Sequence, residues 1–318
     1  MGKKDLSLKS YLEDVVRYAD IMNAVFFSGK QIVKPGELED TRSITTKADD
    51  EALVEAIGDV VMKQSCNGEM FALWVLENQE KIDYSMPIRV MLKEALEYDK
   101  QIKIIKKRNK KANEPYNTED EFLYKVKRND KIYPIHTLVI YWGDKPWDGP
   151  RSLHECLDFY YDNPDDITRI KQMTPEYPIH LLDLSQIQDY SKFHTELRIV
   201  LELYALRQSK DQMYRYVESH EECEHLDEET YRMIGILVNE KELLKRRERY
   251  KNEKGEFGMC KAIRDLMEDA REEGRQEGRG LVNRLYSQLK NDNRTEELLR
   301  AIDDYEYCML LMEEYGMA

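Results

Sequence analysis

Three residues in one short region have the types and the spacing for phosphate chemistry. Glu77 interrupts the apolar run that begins at Phe71, where a buried strand would hold another Val or Leu, and Gln79 follows two positions on. Asp59 stands 18 positions before Glu77, with Asn67-Gly68 between them. An Asn-Gly pair between two β-forming runs signals a hairpin. Residues 59–65 and 70–77 therefore read as paired strands that carry both carboxylates to one end. Gln79 shares the face of Glu77 if the strand continues, because strand side chains alternate. Two carboxylates and an amide carbonyl make a hard-oxygen set suited to Mg2+, or to Mn2+. Such an ion activates water and stabilises the charge that builds on a scissile phosphate. Singly, each residue also has a plainer reading: Glu77 as an edge-strand Glu, Asp59 as a strand-entry residue after Gly58.

Register decides between these readings. With a strict two-residue turn at 67–68, paired positions sum to 135. Asp59 then faces Leu76, and Glu77 points to the opposite side. A shared site needs pairs summing to 136, so an odd-length loop or a β-bulge is expected between the two acids.

The elements that must position this pair follow from periodicity. Residues 7–27 read as a helix with Leu12, Val15, Val16, Ala19, Met22 and Phe26 in helical rhythm, stopped at Ser28-Gly29-Lys30. Asp20 lies in this helix as a further candidate acid, or else as an exposed position beside Arg17. Residues 31–40 read as a loop and 48–57 as a linker. A long helix over roughly 86–108 opens at Pro87 and carries Ile88, Leu92, Ala95, Leu96 and Ile102 on one face. A polar loop, a strand at 133–143, a helix capped by Ser152 and a weaker strand at 179–184 come next. Beyond 190 the signal is helical, with an exposed, Gly-interrupted helix around 268–280. The expected division is a domain over 1–190 and a helical region over 191–318.

The chain has 318 residues, 35% of them charged, and a net charge of −14, which disfavours uniform contact with nucleic acid. Yet residues 100–113 carry seven Lys or Arg and no acid, among them Lys103, Lys106, Lys107, Arg108, Lys110 and Lys111. These could track a phosphate backbone, or form a solvated helix end. Five scattered cysteines, no apolar leader and no run long enough to span a bilayer point to a cytoplasmic protein off the membrane. No phosphate-binding glycine motif and no nucleophile elbow is present, so no nucleotide cofactor is expected. His220, Cys223 and His225 are zinc-capable types without a second cluster. Trp142 and Trp147, in a Pro/Gly loop, either stack bases or pack on the sheet edge, and His136 reads as a core histidine.

The segments "RYADIMNAVFFSGKQIVKPGELE", "ENQEKIDYSMPIRVMLKEALEYDKQI" and "EFLYKVKRNDKIYPIHTLVIYWGDKPWDGPRSLHECL", with "EYCMLLMEEYG" near the end, resemble the recombination-promoting nuclease and putative transposase family. That family belongs to the PD-(D/E)XK nuclease superfamily. The resemblance implies an α/β fold with an α-β-β-β-α-β core, a mixed sheet flanked by helices, and Mg2+-dependent cleavage of DNA. It implies that Asp59 is the metal-binding Asp, Glu77 the acid of the (D/E)-x-K element, Gln79 the occupant of the Lys position, and Asp20 the acid of the first helix. Arg89 and Tyr98 fall at recurring positions of the following helix. Two features depart from the pattern: Gly58 replaces a basic residue, and Gln79 cannot supply a positive charge. Lys63 and Lys81 could bring that charge in, or be surface lysines. The reading is a metal-dependent DNA endonuclease whose helical half positions DNA or mediates self-association as a homo-oligomer. The alternative is a catalytically weak or inactive nuclease-fold protein that binds DNA or protein. A purely helical structural protein would leave the strand-rich half unexplained.

Overall fold

Residues 60–64, 72–76 and 135–142 are rich in Val, Leu, Ile and Trp, and these runs form the interior of one sheet. The computed structural model describes residues 3–40, 59–66, 69–112 and 115–317. Its elements are α1 (Lys3–Leu12), α2 (Val15–Phe27), β1 (Leu38–Asp40), β2 (Val60–Cys66), β3 (Glu69–Gln79), α3 (Met86–Ala112), α4 (Glu119–Tyr124), β4 (Ile135–Tyr141), α5 (Leu153–Cys156), α6 (Pro164–Met173) and β5 (His180–Asp183). Helices α7 (Leu197–Ala205), α8 (Lys210–Ser219), α9 (Glu228–Leu237), α10 (Lys241–Lys245), α11 (Met259–Asn291), α12 (Thr295–Asp303) and α13 (Tyr305–Glu314) complete the chain. The fold is α/β: a five-stranded mixed sheet flanked by helices, with a helical C-terminal region. The strand order is β1-β2-β3-β4-β5. The first three strands run antiparallel, and β4 and β5 continue parallel to β3. Among the described residues, no helix is long and apolar enough to cross a membrane.

Both sheet faces are covered. Val61, Leu73, Val75 and Ile135 pack together with Tyr98 of α3. Met86 and Val90 of α3 pack on Val139 and Tyr141. On the other face, Trp74 meets Phe26 and Phe27 of α2 and stacks on His136 with centroids 4.5 Å apart. Trp142 and Trp147 are buried and serve as packing. The Trp142 indole N–H donates to Asn78 Oδ1 at 3.0 Å, and the Trp147 amide donates to Asp183 at 2.8 Å.

Several sequence expectations change. The helix over 7–27 is two helices, because the Asp14 side chain accepts the Val16 and Arg17 amides and caps a new start. The loop at 31–40 contains the short edge strand β1, and the loop after α3 contains α4. On α3, the face carrying Ile88, Leu92 and Leu96 is the exposed one, at 43, 57 and 44%. The buried face carries Val90, Glu94, Glu97, Gln101, Ile105 and Asn109. Its polar members are tolerated because they are bonded. Glu94 accepts the Thr137 hydroxyl at 2.5 Å and the Tyr177 hydroxyl, Gln101 exchanges bonds with Tyr133, and Asn109 donates to Asp130. Residues 48–57, Gly58 and the Asn67-Gly68 turn lie outside the described residues.

The chain divides into two compact units. The first is Met1–Gln208 with Glu228–Asn239, and the second is Ser209–Asp227 with Glu240–Ala318. Helix α9 belongs to the first because the Tyr11 hydroxyl bonds Thr230 at 3.0 Å and Arg17 pairs with Glu229. In the second, α11 runs unbroken through Gly274, Gly278 and Gly280, exposed over 270–279. Its last turns pack Leu285 and Leu289 against Ala301, Cys308, Leu311 and Met312.

His136 is half-buried, and burial together with His180 lowers its pKa. The folded chain then takes up this proton later than the unfolded one, so stability falls as pH drops below about 6.5. The expected result is a thermal midpoint that declines on acidification in the wild type and declines less in His136→Phe, measured by calorimetry across that range.

Candidate active site

The expected irregularity in the hairpin is a bulge on β3. From Cys66↔Glu69 and Ser65↔Met70 the register shifts to Gln64↔Ala72, and it then holds through Val60↔Leu76. Phe71 is the extra residue, 43% exposed. Pairs from Gln64↔Ala72 to Val60↔Leu76 sum to 136, the register in which Asp59, one residue further on, would share the face of Glu77 that α3 covers. The Asp59 amide donates to Leu76 O at 2.9 Å, and Asp59 Oδ2 accepts the Asn78 amide at 2.7 Å. The side chain is thereby tied to the end of β3.

Glu77 is 4% exposed and would be costly to bury alone. Its Oε2 accepts Lys93 Nζ at 2.8 Å, and its Oε1 accepts the Arg89 guanidinium and the Gln79 amide, the latter at 3.2 Å. Arg89 also reaches Asp83 at 2.8 Å. Arg89 and Lys93 are four apart on α3, so they stand on one row and enter the site together. Burial lowers the Arg89 pKa and the charge of Asp59 opposes this. Burial and Arg89 bring Lys93 to about 8, again against Asp59. Glu77 is ion-paired to both cations, and the negative charge of Asp59 acts on both.

Other sequence candidates lie elsewhere. Asp20 is buried at 2%, not exposed beside Arg17. Its carboxylate accepts the His194 and Thr195 amides at 2.9 Å and the Thr195 hydroxyl at 2.7 Å. It ties α2 to the turn before α7, and the structure does not bring it to Glu77. Tyr98 packs on the sheet, and its hydroxyl accepts the Ile135 amide at 3.2 Å. Lys63 pairs with Glu39 at 3.5 Å and Lys81 is exposed, so neither stands at Glu77. Among the described residues, no three His, Cys, Asp or Glu gather as a metal-binding group, at Cys223 or elsewhere.

The basic residues extend the site along α3. At 100° per residue, Arg89, Lys93, Lys100, Lys107 and Lys111 fall within about 40° of one line down the helix. Lys110 lies about 80° from the middle of that line and Lys106 about 120° from it. Lys103 pairs with Asp99 at 2.6 Å, and Arg108 with Asp130 at 2.5 Å. Lys93 is the residue that sequence reasoning missed. Its signal was available in its i+4 spacing from Arg89, but it reads as an ordinary helix Lys until the facing carboxylate is known.

Glu77 is the counter-charge of two partly desolvated cations. Glu77→Ala is expected to lower the unfolding free energy by about 2–3 kcal/mol in urea titrations. Lys93→Met is expected to cost less in the Glu77→Ala background than in wild type, and strict additivity would contradict the pairing.

Comparison of the chain with protein-family models, curated proteins and solved structures finds no match. The site's own geometry is what a functional reading rests on.

Proposed function

We propose that the first unit is a PD-(D/E)XK-type nuclease that hydrolyses DNA phosphodiester bonds with Mg2+ held by Asp59 and Glu77. The observation that carries this reading is the Phe71 bulge, whose register favours a shared face for the two acids, with Glu77 paired to Arg89 and Lys93. The order helix, three strands, helix, strand in a mixed sheet agrees with the α-β-β-β-α-β core that the family resemblance implies, and it supports the reading. The donors fit the ion chemically. Mg2+ is commonly held by one or two carboxylates and completes its shell with water and phosphate oxygens. When bound, it supplies Lewis acidity and a water of lowered pKa.

The chain's own groups do the remaining work. The Asn78 amide and the Gln79 side chain fix the orientations of Asp59 and Glu77. Lys93 provides the positive charge that Gln79 lacks, entering from α3 instead of β3. Arg89, tied to Asp83, is a second cation that would hold a phosphate's non-bridging oxygens. The basic row of α3 then guides the backbone away from the cut. Mn2+ would serve the same donors. Self-association through the helical half remains part of the proposal.

The ion pairs on Glu77 also favour a second reading, a nuclease-fold binding module whose acids are already neutralised. One experiment separates the two. Supercoiled plasmid incubated with Mg2+ is expected to be nicked by wild type and left intact by Asp59→Ala and Glu77→Ala of unchanged circular dichroism. Lys93→Met is expected to lose about 100-fold in rate, with partial recovery in Lys93→Arg. DNA retention without wild-type cleavage favours the module. Undiminished cleavage by both acid variants would end the nuclease reading.

A further inference from the structure

We propose that the groove between the last turn of α3 and α4 binds an unpaired nucleotide, which makes a single-stranded tail part of the substrate. This deepens the nucleic-acid reading and rests on it. The groove measures about 800 Å³, within the range of small-ligand sites, and is lined by Asn109, Lys110, Tyr116, Phe122 and Lys125 among others. Phe122 is 60% exposed, a large aromatic left facing solvent. Tyr116 stands edge-on to it at 5.8 Å, which fixes the ring's tilt. Lys125 Nζ sits 3.5 Å from the centroid of Phe122 and 4.9 Å from that of Tyr116. Lys125 holds a left-handed backbone, φ 58°, at the end of α4, where Gly is the usual residue. Its ammonium thus lies over one face of the Phe122 ring, which leaves the other face for a base and the charge close enough to meet that nucleotide's phosphate.

The surrounding charge selects the occupant. Residues 100–131 carry eleven Lys or Arg against five Asp or Glu, in a chain of net charge −14. Two of those acids are engaged internally: Glu121 accepts the Asn117 and Arg128 amides, and Asp130 accepts from Asn109 and the Lys127 amide. One acid, Glu119, lies on the groove rim against Lys110 and Lys125. An exposed ring among cations suits a base stacked on an aromatic with its phosphate held electrostatically. Paired bases are covered by their neighbours in the duplex, so an unpaired one is the fitting ligand. Seventeen residues of helix separate Lys93 from Lys110, a rise of about 25 Å. The basic row of α3 spans that interval, so a strand cut at Glu77 could reach the groove.

The test is binding by the full chain, in EDTA, to a fluorescein-labelled blunt duplex and to the same duplex with a ten-nucleotide thymidine tail. Because no cleavage is involved, failure here is distinguishable from failure of the nuclease reading. The tail is expected to tighten binding about 5- to 150-fold. Phe122→Ala should return the tailed duplex to the blunt value and leave the blunt duplex unchanged. Phe122→Trp should keep the gain. Lys110→Ala and Lys107→Ala should weaken both ligands and flatten their salt dependence. No gain from the tail, or a gain that survives Phe122→Ala, overturns the proposal.

Discussion

A single unpaired residue in the central hairpin governs which side of the sheet carries the acids. Without Phe71, pairing would continue with partners summing to 135, and Glu77 would lie on the face packed against α2. That face holds Trp74, Phe26 and His136, an aromatic layer in which a lone carboxylate costs several kcal/mol. With the bulge, Glu77 turns toward α3 and meets Arg89 and Lys93. Apolar pattern alone cannot enforce this choice, since Val60, Met62 and Leu76 on one side and Val61, Leu73 and Val75 on the other are all buried. The polar residues settle it. Trp74 donates to Gln64 at 2.8 Å, and Gln64 donates onward to Glu37. Gln64 thus has a buried role only in this register.

Helix α3 is organised around the same requirement. Its inner face is unusually polar, and Glu94, Gln101 and Asn109 there have strand or loop partners that fix the helix in rotation and along its axis. Glu94 on Thr137 and Gln101 on Tyr133 are separate pins along its length. A helix held only by interchangeable apolar contacts could slide by a turn at modest cost. One held by these bonds leaves buried polar groups unpaired if it slides. The precision matters because Arg89 and Lys93 must arrive at Glu77. Spending the polar residues inward leaves Ile88, Leu92 and Leu96 outward, the reverse of an ordinary amphipathic helix.

This reversal marks the limit of what the sequence discloses. Strands β2, β3 and β4 were legible from β-branched and aromatic runs, and the bulge followed from demanding that two acids share a face. The apolar stripe of α3 misled because periodicity reports that a stripe exists, not which side is buried. The burial of Glu94 and Gln101 depends on Thr137 and Tyr133, more than thirty positions away. Lys93 was illegible for the same reason: its meaning lies in Glu77, sixteen positions back in the chain and on another element. The burial of Asp20 was not legible because its partners, the His194 and Thr195 amides and the Thr195 hydroxyl, lie 174 and 175 positions further along the chain.

Local charge explains why such a site would join metal and nucleic acid in one event. Asp59, Glu77 and Asp83 are nearly balanced by Arg89 and Lys93. On the proposed reading, a divalent cation entering alone would leave an excess of positive charge in a partly desolvated pocket, where Coulomb energies are several times larger than in water. A phosphate entering alone would meet the carboxylates. Arriving together they restore the balance, and the phosphate gives Arg89 and Lys93 an alternative partner as Glu77 turns to the ion. Each ligand therefore raises affinity for the other, and by linkage the effect is reciprocal. The arrangement that neutralises Glu77 in the protein alone is, on this argument, what makes its release depend on substrate.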